Sequence, residues 1–123
     1  MTLVISGAPR TKKNSQQIIR AGGRPRVIQS AQHRAWETRA VLELRAQWHP
    51  REPLRGPTQL AATVYRERAT GDLLNYLAAI SDALERAQVV VDDRLILSLD
   101  GSRLAKDALR PRVELTLTPM ETP

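Results

Sequence analysis

Apolar positions recur along this chain with two periods, and each stretch announces the element it builds. TLVIS at residues 2–6 places Leu3 and Ile5 on one side of a short strand, which Gly7 and Pro9 then break. QQIIR and PRVIQS flank AGGR, where Gly22-Gly23 supplies the permissive backbone of a tight turn, so a β-hairpin is expected over roughly residues 16–30. Ser30 is placed to cap a helix running to about Trp48. Within it Trp36, Ala40, Val41, Leu44 and Trp48 recur at helical spacing, while Arg34, Glu37, Arg45 and Gln47 face elsewhere. HPREPLRGP reads as a loop held by its prolines, and TQLAATVYRER alternates Leu60, Ala62 and Val64 as a strand.

A second helix carries the clearest pattern, with Leu73, Leu77, Ile80, Leu84 and Ala87 forming one apolar stripe. After QVVVDD, RLILSL alternates Leu95, Leu97 and Leu99 as a strand, and DGSR reads as a turn. PRVELTLTP then closes the chain with Val113, Leu115 and Leu117 inward and Glu114 and Thr116 outward. The order β-β-β-α-β-α-β-β predicts an α+β fold in which a mixed or largely antiparallel sheet carries two helices on one face. Residues 1–123 are expected to form a single domain.

Composition narrows the chemistry. With no cysteine, disulfides and thiolate metal sites are excluded, and two histidines leave little for zinc. His33 and His49 show no metal spacing, and Trp36 and Trp48 read as core. No apolar run approaches the roughly 18 residues that span a bilayer, and MTLVISGAPR is too short and too polar for a signal peptide, so a cytoplasmic protein with no membrane partner is expected.

The net charge is +6, but its distribution says more. Residues 1–40 hold eight basic side chains against Glu37 alone, whereas residues 41–123 hold eleven against twelve acidic ones. A basic block beside a near-neutral body suits a polyanion binder, and the plainer alternative is a solvated basic face. Only 3% of residues are aromatic and none is Phe, which argues against a base-stacking platform and for contact through phosphates and shape. Arg10, Lys12, Lys13 and Asn14, on a Gly/Pro loop, are the first candidates for phosphate contacts, and Arg34 and Arg39 extend the patch. Gly23-Arg24-Pro25-Arg26 resembles the core of an AT-hook, which would lay Arg24 and Arg26 in a minor groove, although the hairpin accounts for the glycines better.

Carboxylates supply the candidate chemistry. Asp72 opens the second helix, and Asp92-Asp93 follow its end, so a helix that returns its connection along a sheet brings the two points toward each other. Mg²⁺ suits such a pair, because it takes hard oxygen ligands and needs only one or two protein carboxylates. Water activated by the ion can then attack a phosphodiester. Read singly, Asp72 is an ordinary helix cap and Asp92-Asp93 an ordinary turn, while Asp82 and Glu85 read as the outer face of the helix with no role.

From Gly71 to Ile96 the run GDLLNYLAAISDALERAQVVVDDRLI resembles the RusA family of Holliday-junction resolvases. The matches are Asp72, Leu73 and Asn75 in the helix-opening motif, Asp82-Ala83-Leu84 further along, and Asp92-Asp93 before a strand; GAPRTKKNS is similar to the family's opening segment. The resemblance implies a homodimeric endodeoxyribonuclease, often encoded by phages or prophages. It uses Mg²⁺, with Mn²⁺ as substitute, and cuts branched double-stranded DNA at four-way junctions by paired symmetric nicks. It assigns metal binding to Asp72 and Asp93 and a supporting part to Asp92, the three forming the expected catalytic set, and Asn75 and Lys106 join the candidate DNA contacts. Two positions depart from the family pattern: Leu74 stands where a second metal-binding Asp is found, and Ala78 where a Lys is found. Three outcomes remain open. Asp92 or Asp100 supplies the missing oxygen and Lys106 or Lys12 the missing cation; the chain binds junctions or duplex DNA without cutting; or Leu74 is an inactivating change.

Overall fold

In the computed structural model, residues 1–9, 16–21, 24–29, 31–69 and 71–121 are described, the segments 16–21 and 24–29 by backbone alone. Strands β1 (Thr2–Ser6), β4 (Thr58–Arg66) and β7 (Arg112–Pro119) make the antiparallel part of the main sheet. Their register explains why the alternation was so regular: Leu3 pairs Leu115 and Ile5 pairs Val113, while Ala62 pairs Leu115 and Val64 pairs Val113. Two apolar rows therefore cross three strands on one face, and every one of these side chains is buried. Strands β5 (Ile96–Ser98) and β6 (Arg103–Lys106) both run parallel to β4, at its two ends, so the sheet is mixed. β2 (Gln16–Ala21) and β3 (Arg24–Gln29) form the expected hairpin, as a separate two-stranded sheet.

Helices α1 (Ala31–Trp48) and α2 (Leu73–Arg86) cover the apolar rows. Trp36, Ala40, Leu44 and Trp48 from α1 and Leu77, Ile80 and Leu84 from α2 are buried, as their spacing required. The expected Ser30 cap lies outside the described residues. α2 ends because Gln88 takes a left-handed φ of 59°; its N–H donates to the Glu85 carbonyl at 3.0 Å and the Val89 N–H to the Leu84 carbonyl at 3.0 Å. That reversal buries Val89 and Val90 and sends the chain back beside the helix.

Four expectations are corrected. DGSR is not wholly a turn: Arg103 opens β6, a strand too short and too polar at both ends to show in the pattern. Leu95, Leu97 and Leu99 do not share a buried face of one strand. A 3-10 turn at Asp93–Leu95 delays the strand to Ile96, and a shift of one residue reverses its faces, so Ile96 packs on the core while Leu97 and Leu99 are exposed. Glu37 does not face away: it is buried between the helices, where Arg86 Nη1 meets its Oε1 at 2.9 Å. Gln47 turns to β1, accepting from the Val4 N–H at 2.8 Å and donating to the Val4 carbonyl at 2.7 Å.

Candidate active site

Packing the stripe of α2 against the sheet leaves Leu74 and Ala78 exposed and Ser81, Asp82 and Glu85 half-buried along its flank. The returning chain is pinned there. Leu54 bonds the backbone on both sides of Val90, the Leu54 N–H donating to the Val89 carbonyl and the Val91 N–H to the Leu54 carbonyl. Asp92 then caps the 3-10 turn, its Oδ1 accepting from the Arg94 N–H at 2.9 Å, and Glu85 Oε1 accepts from the Asp93 N–H at 2.8 Å. One carboxylate oxygen each of Glu85, Asp92 and Asp93 consequently lie within 4.8 Å of one another.

Two adjacent aspartates acquire opposite character. Asp92 hydrogen-bonds the Arg94 guanidinium, with Nη2 at 2.8 Å, and this pair together with the Arg94 N–H holds its pKa down to about 2. Asp93 has its pKa pushed up, first by burial and then by the charges of Glu85, Asp82 and Asp92. The neighbouring carboxylates disfavour a negative charge on Asp93, and a cation is the species that would relieve this. The donor set fits a hard divalent ion that retains most of its waters: Asp93 and Glu85 offer oxygens, while Asp92 is drawn toward Arg94. Asp93 also lines an open hollow of about 240 Å³ with Leu74, Leu77, Ala78, Ser81, Ile96 and Leu99. Its rim is apolar, and Leu74 is 72% exposed.

Asp72 stands at the mouth of α2, two residues before Leu74, which lines the same hollow as Asp93. It is the exposed N-cap of α2, with Oδ1 accepting from the Asn75 N–H at 2.9 Å and Oδ2 from Asn75 Nδ2 at 3.0 Å. Glu85 lies near the other end of the helix, about 20 Å away along an axis rising roughly 1.5 Å per residue. Asn75 spends its amide on that cap. Lys106 is exposed on β6, in register with Arg66, and Asp100 is exposed in the turn before that strand. Arg10, Lys12, Lys13 and Asn14 lie outside the described residues, and Arg24 and Arg26 are described only as backbone of β3.

Glu85 is the acid that sequence reasoning passed over. Its one signal was the Asp82–Glu85 pair on a helix flank, which looks like any solvated face until the chain folds back. Among the described residues no helix is long and apolar enough to cross a membrane. The model of the family described as endodeoxyribonuclease RusA matches residues 6–118, nearly the whole chain. Among curated proteins no relative matches.

Proposed function

The chain belongs to the RusA family of endodeoxyribonucleases, a family of Holliday-junction resolvases, and we propose that it nicks four-way DNA junctions in a divalent-cation-dependent reaction centred on Asp93. One observation carries the assignment to that residue: Asp93 is half-buried and flanked by three like charges. A lone structural turn gains nothing from such surroundings, whereas a cation site requires them. Asp93 and Glu85 hold the ion. Arg94 keeps Asp92 ionised and fixed, so that the turn presents Asp93 in one orientation. Asp72, which the family motif ranks with Asp93, orders the opening turn of α2 through its two bonds to Asn75. When bound, Mg²⁺ or Mn²⁺ supplies a nucleophile at neutral pH and positive charge for the phosphate oxygens. A homodimer brings two such sites to a substrate that is itself close to two-fold symmetric.

The test is a synthetic four-way junction incubated with the purified protein and Mg²⁺ or Mn²⁺. Symmetric paired nicks are expected, lost in Asp93→Asn while junction binding survives. Mn²⁺ is further expected to raise the melting temperature of the wild type and not that of Asp93→Asn. An intact dimer that never nicks, at any divalent concentration, overturns the reading.

A second reading, junction binding without cutting, is favoured by the hollow itself. Leu74 and Ala78 flank Asp93 where the family pattern has Asp and Lys, which leaves an apolar wall where a nuclease stores charge. Under this reading binding is steeply salt-dependent and needs no metal, and the double change Leu74→Asp with Ala78→Lys installs nicking.

A further inference from the structure

The turn between β6 and β7, residues 107–111, carries Leu109 with 97% of its surface exposed. One exposed leucine is ordinary on a protein surface; the support built beneath this one is not. Asp107 Oδ1 accepts from the N–H groups of Leu109 at 3.2 Å and Arg110 at 3.1 Å, which closes the turn. Its Oδ2 accepts from Arg112 Nη1 at 2.9 Å, and the same nitrogen donates to the Arg110 carbonyl at 3.0 Å. Arg112 also donates from Nε to Glu114 Oε2 at 2.6 Å and lies over the Tyr65 ring, 3.8 Å from its centroid. Both ends of the turn are tied to the sheet, the Asp107 N–H donating to the Arg66 carbonyl and the Gly7 N–H to the Pro111 carbonyl. An apolar side chain is thus held out into water on a braced turn, where packing asks nothing of it.

Charge says what meets it. Asp107 and Glu114 are both paired with Arg112, and the exposed charges next to the tip in sequence are Lys106 and Arg110. An apolar tip between two cations is complementary to a nucleic acid, whose phosphates flank stacked apolar base faces. The turn also stands at the end of the sheet from which α2 starts. Arg66, bonded by Asp107, reaches the Gly71 carbonyl through Nη1 at 3.2 Å, and Leu74 in the opening of α2 lines the hollow of Asp93. Resting on the junction binding that both readings above share, we propose that Leu109 is a wedge that enters the base stack at the branch point of a four-way junction, with Lys106 and Arg110 on the flanking phosphates. Inserting an apolar side chain costs unstacking, and the cost is least where the stack is already interrupted, so the wedge favours branched over continuous DNA. Leu109 touches bases and no reacting atom; it determines specificity.

The experiment uses a synthetic four-way junction carrying 2-aminopurine at the branch point, titrated with the protein in EDTA so that no strand is cut. Anisotropy of a dye on one arm follows binding, and 2-aminopurine fluorescence, which rises on unstacking, follows the wedge. Wild type is expected to raise that fluorescence severalfold. Leu109→Ala is expected to abolish the rise and to lower the preference for junction over linear duplex about tenfold, with duplex affinity and melting temperature unchanged. Leu109→Met, which keeps an apolar tip, should retain the rise, and Leu42→Ala, which trims an exposed leucine of α1, should behave as wild type. Lys106→Gln with Arg110→Gln should lower the slope of log K against log salt by about 1–2. A full fluorescence rise in Leu109→Ala, or a wild type that binds junctions without any rise, overturns the wedge and leaves the nuclease reading standing. A wild type that does not bind junctions overturns both.

Discussion

Asp92 and Asp93 share a backbone turn yet respond to pH in opposite senses. The pKa of Asp92 falls to about 2 in the folded protein because of Arg94, so its stabilisation is present above the ordinary 3.8 and is lost as pH drops from there toward 2. The pKa of Asp93 rises, so its ionised form costs stability at neutral pH, and that cost disappears once the carboxyl is protonated in both the folded and the unfolded chain. Asp93→Asn is therefore expected to melt higher than wild type at pH 7, with the gain vanishing below its ordinary 3.8. Asp92→Asn should melt lower at pH 7. Calorimetry of the two variants across pH checks both signs, and an equal, same-signed effect would mean that Asp93 does not feel its acidic neighbours. A residue that is more stable when neutralised is what a cation site looks like before the cation arrives.

At the scale of elements, β1 ends the main sheet, and an edge strand exposes a row of unpaired backbone groups. Here α1 covers that row with side chains. Gln47 bonds both the N–H and the carbonyl of Val4, and Glu43 accepts from the Ser6 N–H at 3.0 Å and the Ser6 hydroxyl at 2.6 Å. One glutamine amide thus imitates a neighbouring strand. Gln47→Ala is expected to cost about 1 kcal/mol, because water replaces part of what the amide supplied. The Val4 amide should then exchange faster with solvent, and light scattering should detect self-association through the opened edge. Unchanged exchange at Val4 would show that the amide contact does not protect the strand. The elements were unevenly legible beforehand. β1, β4, β7 and both helices announced themselves because each buries one face and leaves the other wet. β5 and β6 did not. Each is short, lies at the sheet's margin, and takes its phase from a 3-10 turn or from pairing with β4.

For the whole molecule, the proposed function divides the work: the basic first third of the sequence would hold a polyanion and the acidic flank of α2 would act on it. On the proposed reading, paired nicking uses two active sites facing opposed strands, one from each protomer of a two-fold dimer. A mixed dimer of wild type with Asp93→Asn is expected to yield single nicks only, read as nicked intermediates on a native gel and not as resolved duplexes. Resolved products at the wild-type rate would mean that one site visits both strands in turn.

Sequence alone determined the class of fold, the faces of the main elements and the family, because those depend on local periodicity and on motifs contiguous along the chain. Asp72 and Asp92-Asp93 were equally visible there, and spacing made them look like partners in one site. Tertiary structure alone added Glu85 to the group. The left-handed Gln88 turns the chain back along α2 and sets Asp93 beside Glu85, in a hollow that it shares with Leu74 near the Asp72 cap. It also set Arg66 against Lys106, residues forty positions apart that become neighbours only when two parallel strands come into register. Electrostatic fields act through space, and neither the push on Asp93 nor the juxtaposition of those two cations exists until the sheet and the returning turn have formed.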